Sequence, residues 1–322
     1  MESIVRDEAL AAEKRIRSYI RETPVEPSPF LSRLGNAQVF LKLENFQITG
    51  SFKLRGAINK LLSLSEKERG RGMVTASSGN HGTAFAHSLK TLGCRGTIYL
   101  PRYASEAKIQ ALCYYDVELK LYGDDCLETE QCARCAAEKS NQTFIPPYND
   151  WKIIGGQATV AAELARQIEK IDTVLVPVGG GGLISGIAGY LKSFDHNIEI
   201  IGCQPENSAV MYESIKAGKI VQIESKPTLS DGTAGGIEEG SITFDICKEG
   251  VDDFILVTEK EIKQGLKLIM EQHSMLIEGS AALSVASFIK VKERFKNKNV
   301  VLILSGARIS LDKLREILSE KE

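Results

Sequence analysis

"DTVLVPVGGGGLISG", residues 172–186, decides the fold. Its first half, Asp172 to Val178, is a short, mostly apolar and β-branched run without polar alternation, the pattern of a strand buried on both faces. Four consecutive glycines follow, Gly179, Gly180, Gly181 and Gly182, and then a helical stretch over 183–193. A strand-to-helix turn needs one or two glycines. Four leave backbone N–H groups unshielded at a helix N-terminus, where the helix dipole adds partial positive charge, so the segment reads as a phosphate cradle. The dinucleotide fingerprint G-x-G-x-x-G fails because Ser185 takes its third glycine place, and there is no G-K-[ST] for a triphosphate. A lone phosphate on a compact cofactor fits.

The same rhythm runs outward in both directions. "AQVFLKL" reads as a strand; "GMVTAS" precedes a helix over 81–92, "GTIYLP" one over 105–114, and "VELKLY" one over 127–139. Further on, "IEIIGCQP" precedes 208–217, "DFILVT" precedes 260–272, and "NVVLILSG" precedes a closing helix from about 310. Before all of these, apolar positions between Ile4 and Ile20 space a helix that Pro24 and Pro27 stop. Strand followed by helix, repeated this often, predicts an α/β protein with two interwoven, open, mostly parallel sheets flanked by helices. The expected division is a large cofactor-binding domain from 1–72 and 150–322, with a small mobile domain from 73–149. Residues 218–243 are irregular and rich in glycine, as loops bordering a site usually are.

Composition removes several function classes. With 40 basic and 42 acidic residues among 322, the chain has no electrostatic footprint for nucleic acid or an anionic membrane. The N-terminus lacks the basic and apolar regions of a secretory signal, and no apolar run spans a bilayer, so a cytoplasmic location is expected. Seven cysteines, an odd number, argue against a disulfide framework. Cys132 and Cys135 have C-x-x-C spacing but lie mid-helix, without the helix N-terminus that a redox pair needs or two further zinc ligands.

In open α/β sheets ligands gather beyond the carboxyl ends of strands, and three more loops there carry chemistry. "TASSGNHGTAF", 75–85, offers amides and hydroxyls from Ser77, Ser78, Gly79, Asn80 and His81 to a carboxylate or ring oxygen, though it also suits a helix N-cap. In "TGSFKLRG", 49–56, Lys53 follows Phe52 in a helix expected to begin at Ser51; helix dipole and partial burial there disfavour the ammonium form. A neutral lysine is a nucleophile and a base, the requirement for a Schiff base with an aldehyde cofactor. Ser305, ending the last apolar strand, offers a hydroxyl or caps a helix.

In this order and at these separations, "TGSFKLRGA", "SSGNHG", "PVGGGGLISG" and "LSGA" resemble the tryptophan synthase β-like, fold-type II pyridoxal-phosphate enzymes. The match is closest to the serine/threonine dehydratase (ammonia-lyase) and serine racemase group, over essentially the whole chain. The resemblance implies that Lys53 holds the cofactor aldehyde and acts as the catalytic base. It implies that Gly179 to Gly182 bind the phosphate, that Asn80 meets the ring hydroxyl oxygen, that Phe52 packs against the ring and that Ser305 faces the pyridine nitrogen. By the same resemblance, the backbone from Ser77 to His81 receives the substrate carboxylate, Asn149 in "PPYND" lies near the cofactor, and Gly232 and Glu278 line the cleft. A neutral serine at the pyridine nitrogen makes a mild electron sink, which suits β-elimination. The implied activity is deamination of L-threonine or L-serine to a 2-oxo acid and ammonia by a homodimer.

Ser78 keeps racemisation open, because its hydroxyl is expected on the face opposite Lys53. A β-hydroxyaspartate ammonia-lyase is a further alternative. Racemase-like members carry an acidic metal ligand where this chain has Gln204 and another where it has Val210, so no metal is expected there, although Glu206 is nearby. Arg308 replaces the family's asparagine, altering the pocket or pointing to solvent, and the absence of an added regulatory domain suggests a catabolic enzyme. Cysteine-type synthases, with "TSGNTG" in place of "SSGNHG", rank last. A catalytically silent cofactor-binding protein would have no need of Lys53, and a nicotinamide enzyme lacks its third glycine.

Overall fold

The computed structural model describes residues 1–102, 104, 106–124 and 126–319. Ten strands form two sheets: β1 (Val25–Pro27), β2 (Gln38–Lys42), β3 (Met73–Ala76), β4 (Gly96–Leu100), β5 (Glu118–Leu121), β6 (Thr143–Phe144), β7 (Thr173–Pro177), β8 (Glu199–Pro205), β9 (Asp253–Val257) and β10 (Asn299–Ile303). The larger sheet runs β1-β2-β10-β7-β8-β9 and the smaller β5-β4-β3-β6. Every pairing is parallel except β1 on β2, which closes one edge antiparallel. The mostly parallel pair of sheets expected from the strand–helix rhythm is therefore present, with one antiparallel strand that the stretch around Pro24 and Pro27 had concealed.

Both faces of the large sheet are covered, which is why its strands lack alternation. Val174, Val176, Val301 and Ile303 pack with helices Glu2–Ile16, Trp151–Gln167 and Gly182–Lys192. Leu175, Ile201, Val300 and Leu302 face the other way, onto helices Glu259–His273 and Gly279–Lys290. Each such side chain fully removed from water contributes about 1.5–3 kcal/mol. In the small sheet, Met73, Ile98 and Leu100 pack on Phe85 and Leu89, while Val74 and Tyr99 meet Ala133 and Ala137.

Register places the site. Ile303 pairs with Lys42, and Leu302 with Leu175, so β2, β10 and β7 end at the same edge and release their following loops side by side. Helix Lys53–Ser63 begins beyond that edge, two residues later than Ser51; Ser51 instead bridges Gly306. Its Leu54, Ala57 and Ile58 pack with Ile16 and Ala84, and its Leu61 joins the small-sheet core, so it links both bodies.

Beneath that helix lies a buried ionic network. The Arg55 guanidinium donates to Glu163 at 2.7 and 2.8 Å and to Glu44 at 2.8 Å from two nitrogens. Lys42 donates to the same Glu163 at 2.7 Å. Burial opposes the Glu163 charge, but Arg55 and Lys42 outweigh it and hold that carboxyl at about 2. Burial likewise opposes the charge on Arg55, and Glu44 and Glu163 reverse the balance, raising its pKa. A buried cation–anion set satisfied on every side fixes the helix that starts at Lys53.

The expected helix over 105–114 runs Glu106–Cys113, with Ser105 outside the described residues. Residues 208–217 divide into a short turn, Glu206–Ser208, and a helix, Val210–Ala217. Residues 218–241 carry no helix or strand. Cys132 lies half-buried and Cys135 exposed in helix Cys126–Lys139, both free thiols.

Candidate active site

The loop after β2 is stapled to the loop after β10. Phe52 N donates to Ser305 O at 3.1 Å and Ala307 N to Gly50 O at 2.9 Å, so Lys53 enters its helix beside Ser305. Phe52 occupies the N-cap position, and its ring centre lies 5.3 Å from Lys53 Nζ. The Lys53 amine donates to the Pro147 carbonyl at 2.8 Å. Burial lowers its pKa from 10.5 to about 8, against a partial upward pull from Glu278. About a tenth of it is therefore the neutral nucleophile at pH 7, far more than for an ordinary lysine.

Pro147 leads into Tyr148, and Tyr148 packs on the glycine loop. A Cβ at Gly180 would enter the Tyr148 ring, one at Gly182 would come within 2.9 Å of Tyr148 Cβ, and one at Gly179 within 3.0 Å of Thr233 Cα. Gly181 has φ +86°, which a side chain would strain. Close approach explains three of these glycines and conformation the fourth. The loop opens helix Gly182–Lys192, whose first N–H groups have no partner within the helix. Tyr148 Oη accepts from Glu238 N at 2.8 Å, and burial pushes its pKa up to about 12. Asn149, expected near the cofactor, spends its amide on Glu238 Oε2 and Ile242 N, both at 3.0 Å.

The loop after β3 brings Ser77, Ser78 and Gly79 to the start of helix Asn80–Leu92. Ser77 Oγ accepts from Gly79 N at 3.2 Å. His81 turns its ring into the small sheet, 3.1 Å from Thr75 Oγ1 and 3.2 Å from the Ile145 carbonyl. Burial, with Lys53 nearby, lowers its pKa to about 3, so its side chain is neutral and structural. Asn80 points the other way, and its Nδ2 donates to both Glu278 oxygens at 2.9 Å.

Glu278 connects the remaining pieces. It occupies the N-cap position of helix Gly279–Lys290 without a side-chain capping bond, and takes a third hydrogen bond from Arg308 N at 3.0 Å. Burial lifts its pKa to about 7, despite the opposing hydrogen bonds from Asn80 and Arg308. A Cβ at Gly306 would come within 2.7 Å of its carboxylate; one at Gly232 would meet Ser280 Oγ at 2.8 Å and the Glu278 carboxylate at 3.6 Å. Lys53, Phe52, Ser305, Asn80, Glu278 and Gly232 are thus linked through contacts with one another, and Lys53 reaches the glycine loop through Pro147 and Tyr148. Tyr148 and Thr233 were not read from the sequence, although Tyr148 lies inside the "PPYND" segment.

Gln204, at the acidic position of racemase-like proteins, uses its amide between Val178 O at 3.2 Å and Tyr212 N at 2.8 Å. Val210 is buried and Glu206 pairs with Lys290 at 3.3 Å. Among the described residues no group of three or more His, Cys, Asp or Glu is placed to hold a metal ion.

Among the described residues, Asn80 Oδ1 and Arg308 Nη1 are buried without hydrogen-bond partners, both on residues that bond Glu278, and Glu278 also acts on the depressed Lys53 pKa. A glycine-lined helix N-terminus lies on the far side of Pro147 and Tyr148. Orphaned polar atoms, an anion cradle and a reactive amine together fit pyridoxal phosphate.

Comparison with known proteins agrees. A catabolic L-threonine dehydratase, TdcB, of Escherichia coli is 37% identical over 313 residues, 97% of this chain and 95% of that protein. The processed form of threonine deaminase isoform 2 from Solanum lycopersicum superposes with TM-score 0.93 at 34% identity, covering 98% of this chain and 86% of that one. Serine racemase from Dictyostelium discoideum superposes with TM-score 0.88 at 36% identity, covering 95% and 98%. The profile described as "pyridoxal-phosphate dependent enzyme" matches residues 16–306, a span that runs from before Lys53 to beyond Ser305, and the chain belongs to the pyridoxal-phosphate dependent enzyme family.

Proposed function

We propose that this enzyme deaminates L-threonine and L-serine by β-elimination, giving a 2-oxo acid and ammonia. The observation that carries the reading is the buried Lys53 amine, with its pKa brought to about 8, between the serine loop and the segment that packs on the glycine loop. The relatives named threonine dehydratase and threonine deaminase support the substrate class.

Bound pyridoxal phosphate supplies an aldehyde for an amine and a ring that withdraws electrons from the substrate Cα. In this reading Lys53 would hold that aldehyde, and its amine would be the base for the substrate α-proton. Gly179 to Gly182 bind the phosphate with N–H groups at a helix N-terminus, and Phe52 packs on the ring. Ser305 would face the ring nitrogen as a neutral hydroxyl, Asn80 would meet the ring oxygen, and Gly232 and Glu278 would line the cleft. The first-turn amides from Ser77 to His81 hold the α-carboxylate. The β-hydroxyl departs as water and a second water is consumed in hydrolysis, so the hydroxy amino acid balances against a 2-oxo acid and ammonia. Keto acid from L-threonine or L-serine with the wild type, absent in Lys53→Ala, is expected; equal yields from both proteins would overturn the reading.

Residues 73–149 are proposed to move as a small domain against 1–72 and 150–322, closing over substrate. Unchanged X-ray scattering with and without a substrate analogue would count against this. The likeness to serine racemase and the half-buried Ser78 hydroxyl, which makes no hydrogen bond among the described residues, favour racemisation as a second activity. Formation of D-serine that is lost in Ser78→Ala tests it. The enzyme is proposed to be a cytoplasmic homodimer; among the described residues no helix is long and apolar enough to cross a membrane.

A further inference from the structure

We propose that Arg308 makes this active site selective for amino acids with a second negative charge, a carboxylate on the β-carbon beside the leaving group. The inference rests on the reading that the site eliminates a β-substituent. Arg308 follows Ser305 in the loop after β10, and its backbone N–H donates to Glu278 Oε2 at 3.0 Å. Asn80 holds the same carboxylate from the opposite body. Arg308 and the loop expected to take the α-carboxylate thus stand on two sides of a single Glu278 side chain.

The guanidinium lacks a proper counterion. Its Nη1 is buried without a partner, and no ion pair to it forms among the described residues. Burial lowers the Arg308 pKa, and Glu278 and Tyr115 are the groups that pull it back. Glu278 is a weak counterion, because burial keeps much of it protonated near neutral pH. Asp231, close enough to Glu278 to act on its charge, is shared by Lys108 at 3.8 Å and Lys313 at 3.3 Å. Asp231 is thus engaged by two lysines and, among the described residues, forms no ion pair with Arg308.

L-Serine and L-threonine carry no second carboxylate for this guanidinium. A β-carboxylate accepts the planar guanidinium fork through two parallel, charge-assisted hydrogen bonds. The reaction balances as before: 3-hydroxyaspartate loses water, consumes water on hydrolysis, and yields a 2-oxo dicarboxylic acid and ammonia.

The test compares holoenzyme wild type, Arg308→Asn and Arg308→Lys. For each, kcat/KM is measured with threo- and erythro-3-hydroxyaspartate and with L-serine, and the Kd of malonate is measured by calorimetry. The expected result is that the hydroxyaspartate-to-serine ratio falls about 100-fold in Arg308→Asn, as for a truncated buried charge pair, that malonate binding weakens at least about tenfold, and that Arg308→Lys recovers part of both. A ratio and a malonate Kd both within about twofold of wild type in Arg308→Asn would overturn the proposal. If none of these amino acids is turned over, the elimination reading fails. Malonate binding then decides the role of Arg308 by itself, weakened binding supporting it and unchanged binding refuting it.

Discussion

Asn80 Nδ2 lies 2.9 Å from both carboxylate oxygens of Glu278, joining the first residue of the small-sheet helix to the N-cap of Gly279–Lys290 across the cleft. One face of the site thus belongs to each sheet, and a buried carboxyl holds them together. Because that carboxyl has a pKa near 7, the junction depends on pH.

Glu278 titrates at 4.5 in an unperturbed chain and at about 7 in the fold. Below 4.5 both states are protonated and nothing is lost; as pH rises through 7 the folded state must ionise a buried group, and stability falls. Glu278→Gln removes that loss, and the Gln amide can pair with the orphaned Asn80 Oδ1. Thermal melts of apoprotein should therefore show Glu278→Gln gaining about 1–3 kcal/mol on the wild type between acid and pH 8. A parallel pH dependence for the two proteins would refute the assignment.

Lys53 gives the opposite sign. Its folded pKa of about 8 lies below 10.5, so the cost of keeping it charged is full below pH 8 and is relieved between 8 and 10.5. Only the neutral amine attacks an aldehyde. The rate at which apoprotein takes up pyridoxal phosphate, followed by its visible absorption, should rise with pH to a midpoint near 8. A midpoint near 10.5 would mean that the amine is not desolvated.

Gly180→Ala drives a methyl into Tyr148. Overpacking of this kind costs about 1–3 kcal/mol, and here it falls on the loop proposed to hold the phosphate. Equilibrium dialysis should show pyridoxal phosphate bound at least about tenfold more weakly, with partial recovery in Gly180→Ala/Tyr148→Ala, where the ring is gone. No change in the single variant would place the phosphate elsewhere.

Glu163→Ala leaves Arg55 and Lys42 buried without their shared anion, at a cost of about 3–5 kcal/mol. The wild-type contribution is present above pH 4.5 and disappears as pH falls through about 2, the direction set by a depressed carboxyl pKa. Denaturant midpoints in Glu163→Gln should lack that acid-side slope.

Much of this was legible in the sequence because parallel strands and their glycine or serine loops are local patterns. What escaped was long-range. "WKIIGGQATVAAELARQ" is assigned to no element from the sequence; it is one helix, and its paired glycines allow contact with Glu8 at Gly155 and with the Arg55 backbone at Gly156. "GSAALSVASFIK" is buried almost all round, so it has no polar face to betray a period. The loops of the site could be named in advance. Tyr148 behind the glycines and the Asn80–Glu278 bond across the cleft depend on partners 32 to 198 residues away and have no local signature.

The central claim is that Lys53 carries the cofactor. Holoenzyme reduced with borohydride, digested and mapped by mass spectrometry tests it without reference to substrate. The account predicts a single pyridoxyl addition on the peptide containing Lys53; an addition on another lysine, or none, would contradict it.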